Sequence, residues 1–343
     1  MDRKETSVLL IYTGGTIGMI ENSKTGALES FNYESMVHHV PELGKLNFNI
    51  DTVQFEPPID SSDMHPAIWC RLASIIAEKY DDYTGFVVLH GTDTMAYTAS
   101  ALSFMLRNLT KPVILTGAQL PIKEIRTDGK ENLLTSLEIA AAQIDGKPIV
   151  REVCVFFENH LMRGNRTTKI NAENFNAFHS CNYPNLAEAG IHIKYENAYM
   201  LSPEEGKGMT LQNKYDSNVA ILSLFPGIQE AIVKAVLETP GLKGVILKTF
   251  GSGNAPHLDF LMKYLKAATD RGIIIVNVTQ CLEGMVEMDR YESGRQLLEA
   301  GVVCGKDMTI EAALTKLMIL LGLNYTTEEI REQMTVSFAG ELS

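Results

Sequence analysis

The sequence lacks the features that would place it in a membrane, in a disulfide scaffold or around zinc. Its longest apolar runs, 8–12 and 272–276, are strand-sized and far short of the roughly 20 residues that span a bilayer. The five cysteines are scattered and form no C-x-x-C pair, which disfavours a disulfide framework and a zinc site. We therefore expect a protein that needs no metal.

Runs of basic residues are also missing. The 42 acidic and 30 basic residues give a formal net charge of −12, which disfavours nucleic acid or an anionic membrane as a partner. The first six residues mix both charge signs and are followed by only five apolar residues, unlike a secretory signal. These features predict a cytoplasmic protein that binds neither nucleic acid nor a membrane.

Short apolar runs alternate with longer amphipathic segments along the chain. At roughly 150 residues per domain, a length of 343 predicts two domains or one large α/β unit. Strands are predicted at 7–13, 48–55, 86–90, 113–116, 153–157, 219–224, 244–249, 272–278 and 302–303. Helices are predicted at 66–80, 95–106, 129–143, 229–238, 258–271, 310–321 and 327–334.

Strands that are apolar on both faces and separated by helices form parallel sheets covered on both sides. The predicted fold class is therefore α/β, with two doubly wound domains of which the N-terminal one is larger. A polar stretch interrupts the pattern and is interpreted as a linker at 201–216, which leaves domains at 1–200 and 217–343.

The turns after the strands are rich in glycine and threonine, and ligands of such folds bind beyond the carboxyl ends of the strands. After the first strand, 13–18 reads T-G-G-T-I-G. The glycines permit a tight turn, and Thr16 can present its hydroxyl. A nucleotide-binding loop is disfavoured because the glycines do not fit G-x-G-x-x-G, but a merely tight turn remains an alternative.

The turn after the third strand, 90–95, reads H-G-T-D-T-M and passes directly into a helix. Thr92 and Asp93 are therefore expected at a helix N-terminus, where unpaired amides favour an anionic group. Asp93 or Thr94 can instead cap the helix, although capping accounts for only one of these residues. His90 is interpreted as a packed residue at the strand end rather than as a base.

Three more segments follow strands. The cluster 60–64, D-S-S-D-M, suits a small zwitterion, although Asp63 can instead cap the next helix. The turn 116–119, T-G-A-Q, adds backbone at the same sheet edge. The segment 163–169, R-G-N-R-T-T-K, has the composition of a solvated surface, but its place beyond a strand allows Lys169 to be buried against Thr92.

Two threonines, an aspartate and a lysine suggest a hydroxyl nucleophile that acts on an acyl group. An amino-acid sensor that uses the same crevice is the main alternative, but a sensor needs neither Lys169 nor two reactive threonines. A dinucleotide oxidoreductase is disfavoured because both the glycine spacing and a ribose-binding acid are missing. The G-x-S-x-G, H-E-x-x-H and G-x-x-x-x-G-K-[ST] motifs are also absent from the sequence.

With these segments assembled, the chain resembles the bacterial cytoplasmic type I L-asparaginases of the asparaginase/glutaminase family. The resemblance implies hydrolysis of L-asparagine to L-aspartate and ammonia without a cofactor. It also implies a homo-oligomer, either a dimer or a dimer of dimers, that is a homotetramer. The matching segments run in order over nearly the whole chain: Tyr12–Gly18, Asp60–Met64, Leu89–Thr98, Arg163–Lys169, Gly251–Pro256 and Asp307–Ala312.

The resemblance also implies roles position by position. Thr16 resembles the nucleophile, and Thr92, Asp93 and Lys169 resemble a Thr-Lys-Asp triad. The implied substrate-binding residues are Asp60, Ser61, Ser62, Thr92, Asp93, Ala118, whose backbone carbonyl approaches the side-chain amide, and Asn254, which reaches the site from a neighbouring subunit.

The sequence departs from the family pattern at two places. A tyrosine that often assists the nucleophile has no counterpart in 24–28, K-T-G-A-L, and Tyr33 lies further on. In some type I enzymes a threonine, a cysteine and an arginine line an effector site. Thr168 and Cys281 match, but Lys248 replaces the arginine. Because a lysine cannot form a bidentate carboxylate clamp, we expect weakened or absent allostery.

Sharing of Asn254 between subunits predicts complementation. A Thr16→Ala chain lacks the nucleophile, and an Asn254→Ala chain lacks the donated amide. If they are mixed and reassembled, some oligomers contain one site with both residues intact, so activity should rise above that of either variant. Ammonia release from L-asparagine measures this recovery. Mixed oligomers that form without any recovery would place Asn254 in its own chain's site or outside catalysis.

Overall fold

The alternating pattern folds into two units, Met1–Leu211 and Gln212–Ser343. The computed structural model describes residues 6–18, 20–21, 28–29, 33–290 and 292–343. Across these ranges, no helix combines the length and the apolar character needed to cross a membrane.

The first unit contains strands and helices in alternation, followed by short hairpins. Its helices are α1 (Tyr33–His39), α2 (Pro66–Glu78), α3 (Met95–Met105) and α4 (Gly129–Ala141). Its strands are β1 (Ser7–Tyr12), β2 (Ile20–Glu21), β3 (Leu28–Glu29), β4 (Asn49–Gln54), β5 (Gly85–Leu89), β6 (Leu106–Arg107), β7 (Val113–Thr116), β8 (Gln143–Ile144), β9 (Lys147–Pro148), β10 (Val153–Phe157), β11 (His160–Arg163), β12 (Thr168–Lys169), β13 (Phe178–His179), β14 (Ala187–Ala189), β15 (Ile193–Tyr195) and β16 (Thr210–Leu211).

The main sheet of this unit has the order β15-β14-β11-β10-β7-β5-β1-β4. From β4 to β10 each neighbouring pair is parallel. The chain runs from β1 to β4 on one side and then returns to β5 on the other side of β1. The strand order therefore reverses between β1 and β5. Such a switch point opens a crevice at the carboxyl ends of the strands.

An antiparallel extension completes the sheet beyond β10. Strand β11 pairs antiparallel with β10, and β14 and β15 continue in the same way. These strands were not predicted, because short antiparallel hairpins carry no long apolar run. Helix α1 and the helix Glu292–Glu299 of the second unit were also not predicted.

The second unit carries a smaller, fully parallel sheet in the order β17 (Val219–Ser223), β18 (Gly244–Thr249), β19 (Ile274–Thr279) and β20 (Val303–Cys304). Val245 and Leu247 of the central strand pack in one apolar cluster with residues of the helices that precede β20, whereas Ile246 packs in a second cluster with the last two helices. The sheet is therefore covered on both faces. Its elements are β17 (Val219–Ser223), α5 (Glu230–Leu237), β18 (Gly244–Thr249), α6 (Asp259–Asp270), β19 (Ile274–Thr279), α7 (Glu292–Glu299), β20 (Val303–Cys304), α8 (Ile310–Gly322) and α9 (Thr327–Thr335).

The predicted fold class is confirmed. Both units are α/β, the N-terminal sheet is the larger, and the parallel strands are separated by helices as the apolar pattern predicts. The predicted helices and strands agree with the structure to within two residues at most ends. The predicted domain limits and linker stay a prediction.

A buried ion pair fastens the end of the chain to α8. Lys316 Nζ lies 2.6 Å from Glu341 Oε1, and both side chains are fully buried. The ammonium also donates to the carbonyl oxygen of Val336 at 2.7 Å, and the carboxylate accepts the N–H of Ala339 at 2.9 Å. These contacts join the segment 336–343 to the second unit.

Removal of one charge from this pair should destabilise the protein. Glu341→Gln keeps the shape of the side chain but leaves the ammonium of Lys316 buried without a counter-charge, which costs about 3 kcal/mol or more. Urea unfolding followed by far-UV circular dichroism measures the loss. A matched double variant, Lys316→Met with Glu341→Leu, should be less destabilised because no charge stays buried. A single variant as stable as the unmodified protein would contradict this account.

Candidate active site

Four turns meet at the carboxyl edge of the first sheet, beside its switch point. They follow β1 (13–16), β4 (59–64), β5 (90–94) and β7 (117–119). The predicted residues of the first unit come from these turns and from one further segment, 163–169.

Glycine allows the turns after β1 and β5 to touch. Gly15 has a φ of +92°, and a Cβ at this position would lie 2.5 Å from the Cα of Gly91. No side chain fits into so short a distance, so the two backbones are in direct contact. Thr16 and Thr92 each follow one of these glycines, and the contact makes the two threonine-bearing turns neighbours.

The turn after β4 is fixed to both of them. Gly14 has a φ of +139°, and a Cβ there would lie 2.0 Å from the carbonyl oxygen of Ile59. A Cβ on Gly91 would lie 2.5 Å from Ser61 Oγ. The hydroxyl of Thr94 donates to the carbonyl oxygen of Ser61 at 2.6 Å. The buried Ser61 is thereby held against the turn after β5.

Asp60 is exposed and organises the start of this turn. Its Oδ1 accepts the N–H of Ser62 at 2.9 Å and the hydroxyl of Ser62 at 2.8 Å. These two hydrogen bonds, the backbone one first, lower the pKa of the Asp60 carboxyl. The carboxylate is therefore charged near neutral pH and can attract a cationic group.

The alternative interpretation of Asp63, Asp93 or Thr94 as helix caps is not supported by a side-chain capping bond. Helix α2 begins at Pro66 after His65, and no side chain caps it, so Asp63 does not serve as its cap. Helix α3 follows Thr94, whose hydroxyl bonds to the turn after β4 instead of to the helix. Asp93 makes no capping bond there either, because its carboxylate has a different partner.

That partner is Lys169. Its Nζ donates to Thr92 Oγ1 at 2.8 Å and to Asp93 Oδ1 at 2.6 Å. The lysine side chain is 16% exposed and the aspartate side chain 66%. The structure therefore brings together the three residues Thr92, Asp93 and Lys169, which lie 76 and 77 positions apart in the chain.

The segment that carries Lys169 is held in place by two buried arginines. Arg163 and Arg166 are buried, so the interpretation of this segment as a solvated surface is wrong for its arginines. Arg163 Nε lies 2.6 Å from Glu152 Oε2, and its guanidinium lies over the ring of Tyr183, 4.3 Å from the centroid. The ion pair between the buried Arg163 guanidinium and the buried Glu152 carboxylate fixes the backbone where this segment begins.

Gln119 is a functional candidate that the sequence analysis considered only for its backbone. The hydroxyl of Thr92 donates to Gln119 Oε1 at 3.1 Å, while Gln119 Nε2 donates to the carbonyl oxygen of Asn174 at 3.1 Å. Its N–H bonds to the Asp128 carboxylate at 3.0 Å. The signal available in the sequence was a side-chain amide, that of Gln119, shortly after a buried strand. The neighbouring Ala118 is buried beside the start of α4.

Thr16 opens the short helix 16–18 and is half-buried. The stretch in which the sequence analysis looked for an assisting tyrosine, 24–28, lies outside the described residues except for its last position. The backbone of Tyr33 begins α1. The group that assists Thr16 is therefore not identified by the described contacts.

The remaining predicted residues lie mainly in the second unit. Asn254 closes a turn after β18, and its Oδ1 accepts the hydroxyl of Ser293 at 3.0 Å. Lys248 lies in β18 and Cys281 just beyond β19, whereas Thr168 belongs to β12 of the first unit. Among the described residues, no group of three or more His, Cys, Asp or Glu side chains is arranged to hold a metal ion.

Comparison with known proteins identifies the family. The family model "Asparaginase, N-terminal" matches residues 7–200, and "Glutaminase/Asparaginase C-terminal domain" matches 218–334. The chain belongs to the asparaginase family. It is thus a hydrolase of the amidohydrolase class.

Family members similar to the chain extend over its whole length. L-asparaginase 1 of Escherichia coli K12 is 45% identical over 341 residues, which cover 99% of both chains. The crystal structure of L-asparaginase I from Vibrio cholerae has a TM-score of 0.89 at 42% identity and covers 99% of both chains. The human 60 kDa lysophospholipase is 42% identical over 361 residues, with 99% of this chain and 62% of that protein covered.

Proposed function

We propose that this chain hydrolyses the side-chain amide of L-asparagine to L-aspartate and ammonia. The observation that carries the proposal is the double contact of Lys169 Nζ with Thr92 Oγ1 and Asp93 Oδ1. A protein that only binds an amino acid does not need a lysine against a threonine hydroxyl. Hydrolysis needs a group that can take a proton from an attacking oxygen. The L-asparaginases of E. coli and V. cholerae, similar over the full length, support this substrate.

Charged and hydroxyl groups at the sheet edge suit the two ends of an amino acid. Asp60 and Asp93 would hold the α-ammonium, since the hydrogen bonds from Ser62 keep Asp60 ionised. The hydroxyl of Ser61 would donate to the α-carboxylate, together with backbone amides at the N-terminus of α3. The hydroxyl of Ser62 would do so by turning away from Asp60, which keeps the hydrogen bond from the Ser62 N–H. With both ends fixed, the side-chain amide is directed toward the two threonines.

In the first half-reaction, Thr16 Oγ attacks the amide carbon of the substrate. The amide oxygen becomes an oxyanion, which backbone N–H groups of the turns after β1 and β5 would stabilise. The carbon–nitrogen bond then breaks, the leaving nitrogen takes the proton that Thr16 has lost, and ammonia departs. The product of this step is an ester between the substrate's side-chain carboxyl and Thr16. The backbone carbonyl of Ala118 would accept a hydrogen bond from the amide.

In the second half-reaction, water attacks the ester carbon. Thr92 takes a proton from the water while its own hydroxyl proton passes to Lys169, and Asp93 stabilises the resulting ammonium. The proton then returns to Thr16 Oγ as the ester bond breaks and aspartate is released. The relay follows the two hydrogen bonds of Lys169, so the Thr-Lys-Asp arrangement accounts for the activation of water.

Gln119 would control the direction in which the hydroxyl proton of Thr92 points. In the structure Lys169 donates to both of its partners, and the proton of Thr92 is directed to Gln119 Oε1. A lysine has to be neutral before it can accept a proton. We infer that the hydroxyl of Thr92 turns from Gln119 toward Lys169 during the reaction. Gln119 therefore holds the resting orientation.

Beyond the chemistry, we propose a cytoplasmic homo-oligomer, a dimer or a homotetramer built from two dimers. Asn254 would complete the site of an adjacent protomer, as the family resemblance implies. Residues 1–200 would form the catalytic domain, joined by 201–216 to a second domain at 217–343. Thr168, Lys248 and Cys281 would form an effector site with a weakened response, since Lys248 cannot clamp a carboxylate as an arginine does.

The function is tested with purified protein and L-asparagine alone. Without any added cofactor, ammonia and aspartate should appear in equal amounts. Thr16→Ala should fold normally but lose turnover by about 1,000-fold or more, because no alcohol remains to form the ester. A coupled ammonia assay gives the rate, and circular dichroism controls for folding. Near-normal turnover of this variant would refute Thr16 as the nucleophile.

The role of Lys169 is tested by Lys169→Arg. An arginine keeps the positive charge beside Asp93 but is effectively always protonated, so it cannot accept the proton of Thr92. We expect kcat to fall to the level of Lys169→Met, the control that removes the amine, in the same ammonia assay. If the arginine variant retained most of the activity, the lysine would act through its charge alone.

A further inference from the structure

Three buried side chains beneath the turn after β5 form a chain of hydrogen bonds that the proposed reaction does not use. Trp69 Nε1 donates to Thr98 Oγ1 at 3.1 Å, and Thr98 Oγ1 lies 2.8 Å from His90 Nε2. On the other side of the ring, His90 Nδ1 lies 2.7 Å from the carbonyl oxygen of Gly91. His90 and Thr98 are fully buried and Trp69 almost so.

The donor and acceptor types fix the direction of every bond. The carbonyl oxygen of Gly91 can only accept, so His90 Nδ1 carries the proton. The indole of Trp69 can only donate, so Thr98 receives that bond and uses its own proton for His90 Nε2. Complete burial lowers the pKa of His90 to about 4, which keeps the ring neutral. The carbonyl of Gly91 thus fixes the tautomer, and the hydroxyl of Thr98 holds the ring by donating to the unprotonated Nε2.

That carbonyl belongs to the peptide bond between Gly91 and Thr92. A trans peptide is planar, so its C=O and its N–H point in opposite directions. Because His90 holds the carbonyl oxygen of Gly91 toward the buried ring, the N–H of Thr92 must point away from it. Among the described residues, no acceptor takes this N–H.

We propose that His90, oriented by Thr98, is a positioning residue that aims the N–H of Thr92 at the oxyanion of the reaction. The inference rests on the proposed function, since the oxyanion arises only if an amide is hydrolysed there. A donor held by a buried network needs no reorganisation as charge develops, and this is the property that makes such donors effective. His90 itself touches neither substrate nor reacting atoms.

Thr98→Val tests the proposal because it keeps the shape of the side chain and removes the hydroxyl. His90 then loses the donor to its Nε2, which holds the orientation of the ring. We expect kcat to fall about 10-fold or more with KM changed less than about 2-fold. The weakened contact is the one between the Thr92 N–H and the oxyanion, which exists only in the transition state. Thr98→Ser keeps the hydroxyl and should restore most of kcat. Ser103→Ala, which removes another buried hydroxyl from α3, is the matched control and should leave kcat unchanged.

Nitrogen-15 spectra of histidine-labelled protein give a readout independent of activity. In the wild-type protein, His90 should show the neutral form with its proton on Nδ1, and His90→Asn assigns the signal. In Thr98→Val the Nε2 resonance should shift, because this nitrogen loses the hydrogen bond from Thr98. This arm also covers the case in which Thr98→Val is unstable, because the wild-type tautomer is measured directly. A proton on Nε2 of the wild-type protein would overturn the proposal.

The kinetic outcomes separate the positioning role of His90 from the proposed function of the protein. If the wild-type protein is active but Thr98→Val has an unchanged kcat, the positioning role is overturned and the proposed function stands. The positioning role is equally overturned if kcat and the fraction of folded protein fall together while kcat per folded molecule is constant. A wild-type protein that releases no ammonia from L-asparagine would overturn the proposed function and this inference with it.

Discussion

Direct contact between two backbone turns is the constraint on which the candidate active site depends. A Cβ on Gly15 would lie 2.5 Å from the Cα of Gly91, so only glycine permits the approach. The sheet creates the opportunity, because its strand order reverses between β1 and β5 and the two turns leave at the same edge. An added methyl group would push the turns apart. A displacement of about 1 Å at reacting groups can cost on the order of 100-fold in rate.

The second requirement is an amine placed against the hydroxyl whose proton it is to accept. Lys169 satisfies it because its segment is fixed at the base by the buried pair of Arg163 and Glu152. The side chain then reaches Thr92 and Asp93 at hydrogen-bond distance without being fully enclosed. A buried arginine is costly unless it is paired and hydrogen-bonded. Arg163 has a carboxylate partner and an aromatic ring beside it, so it can fix the polar segment that carries Lys169.

Much of this architecture could be predicted from the sequence, because strands buried on both faces leave uninterrupted apolar runs and the turns after them carry glycine and threonine. The pairing of Lys169 with Thr92 was predicted on the premise that the segment 163–169 directly follows β10, whereas the antiparallel strand β11 lies between the two. The antiparallel edge strands were missed because they are short and only partly buried. Gln119 and Thr98 were missed because their roles depend on which atoms face each other across the fold. Local patterns contain no information about such long-range contacts.

The exposed pair of Lys169 with Asp93 and the buried hydrogen bonds of His90 and Thr98 contribute differently to the site. The pair between Lys169 and Asp93 is open to water through the aspartate, and exposed ion pairs are worth only about 0–1 kcal/mol. The hydrogen bonds of His90 and Thr98 are wholly buried. The buried hydrogen bonds therefore contribute a fixed geometry, whereas the exposed ion pair contributes little free energy of its own.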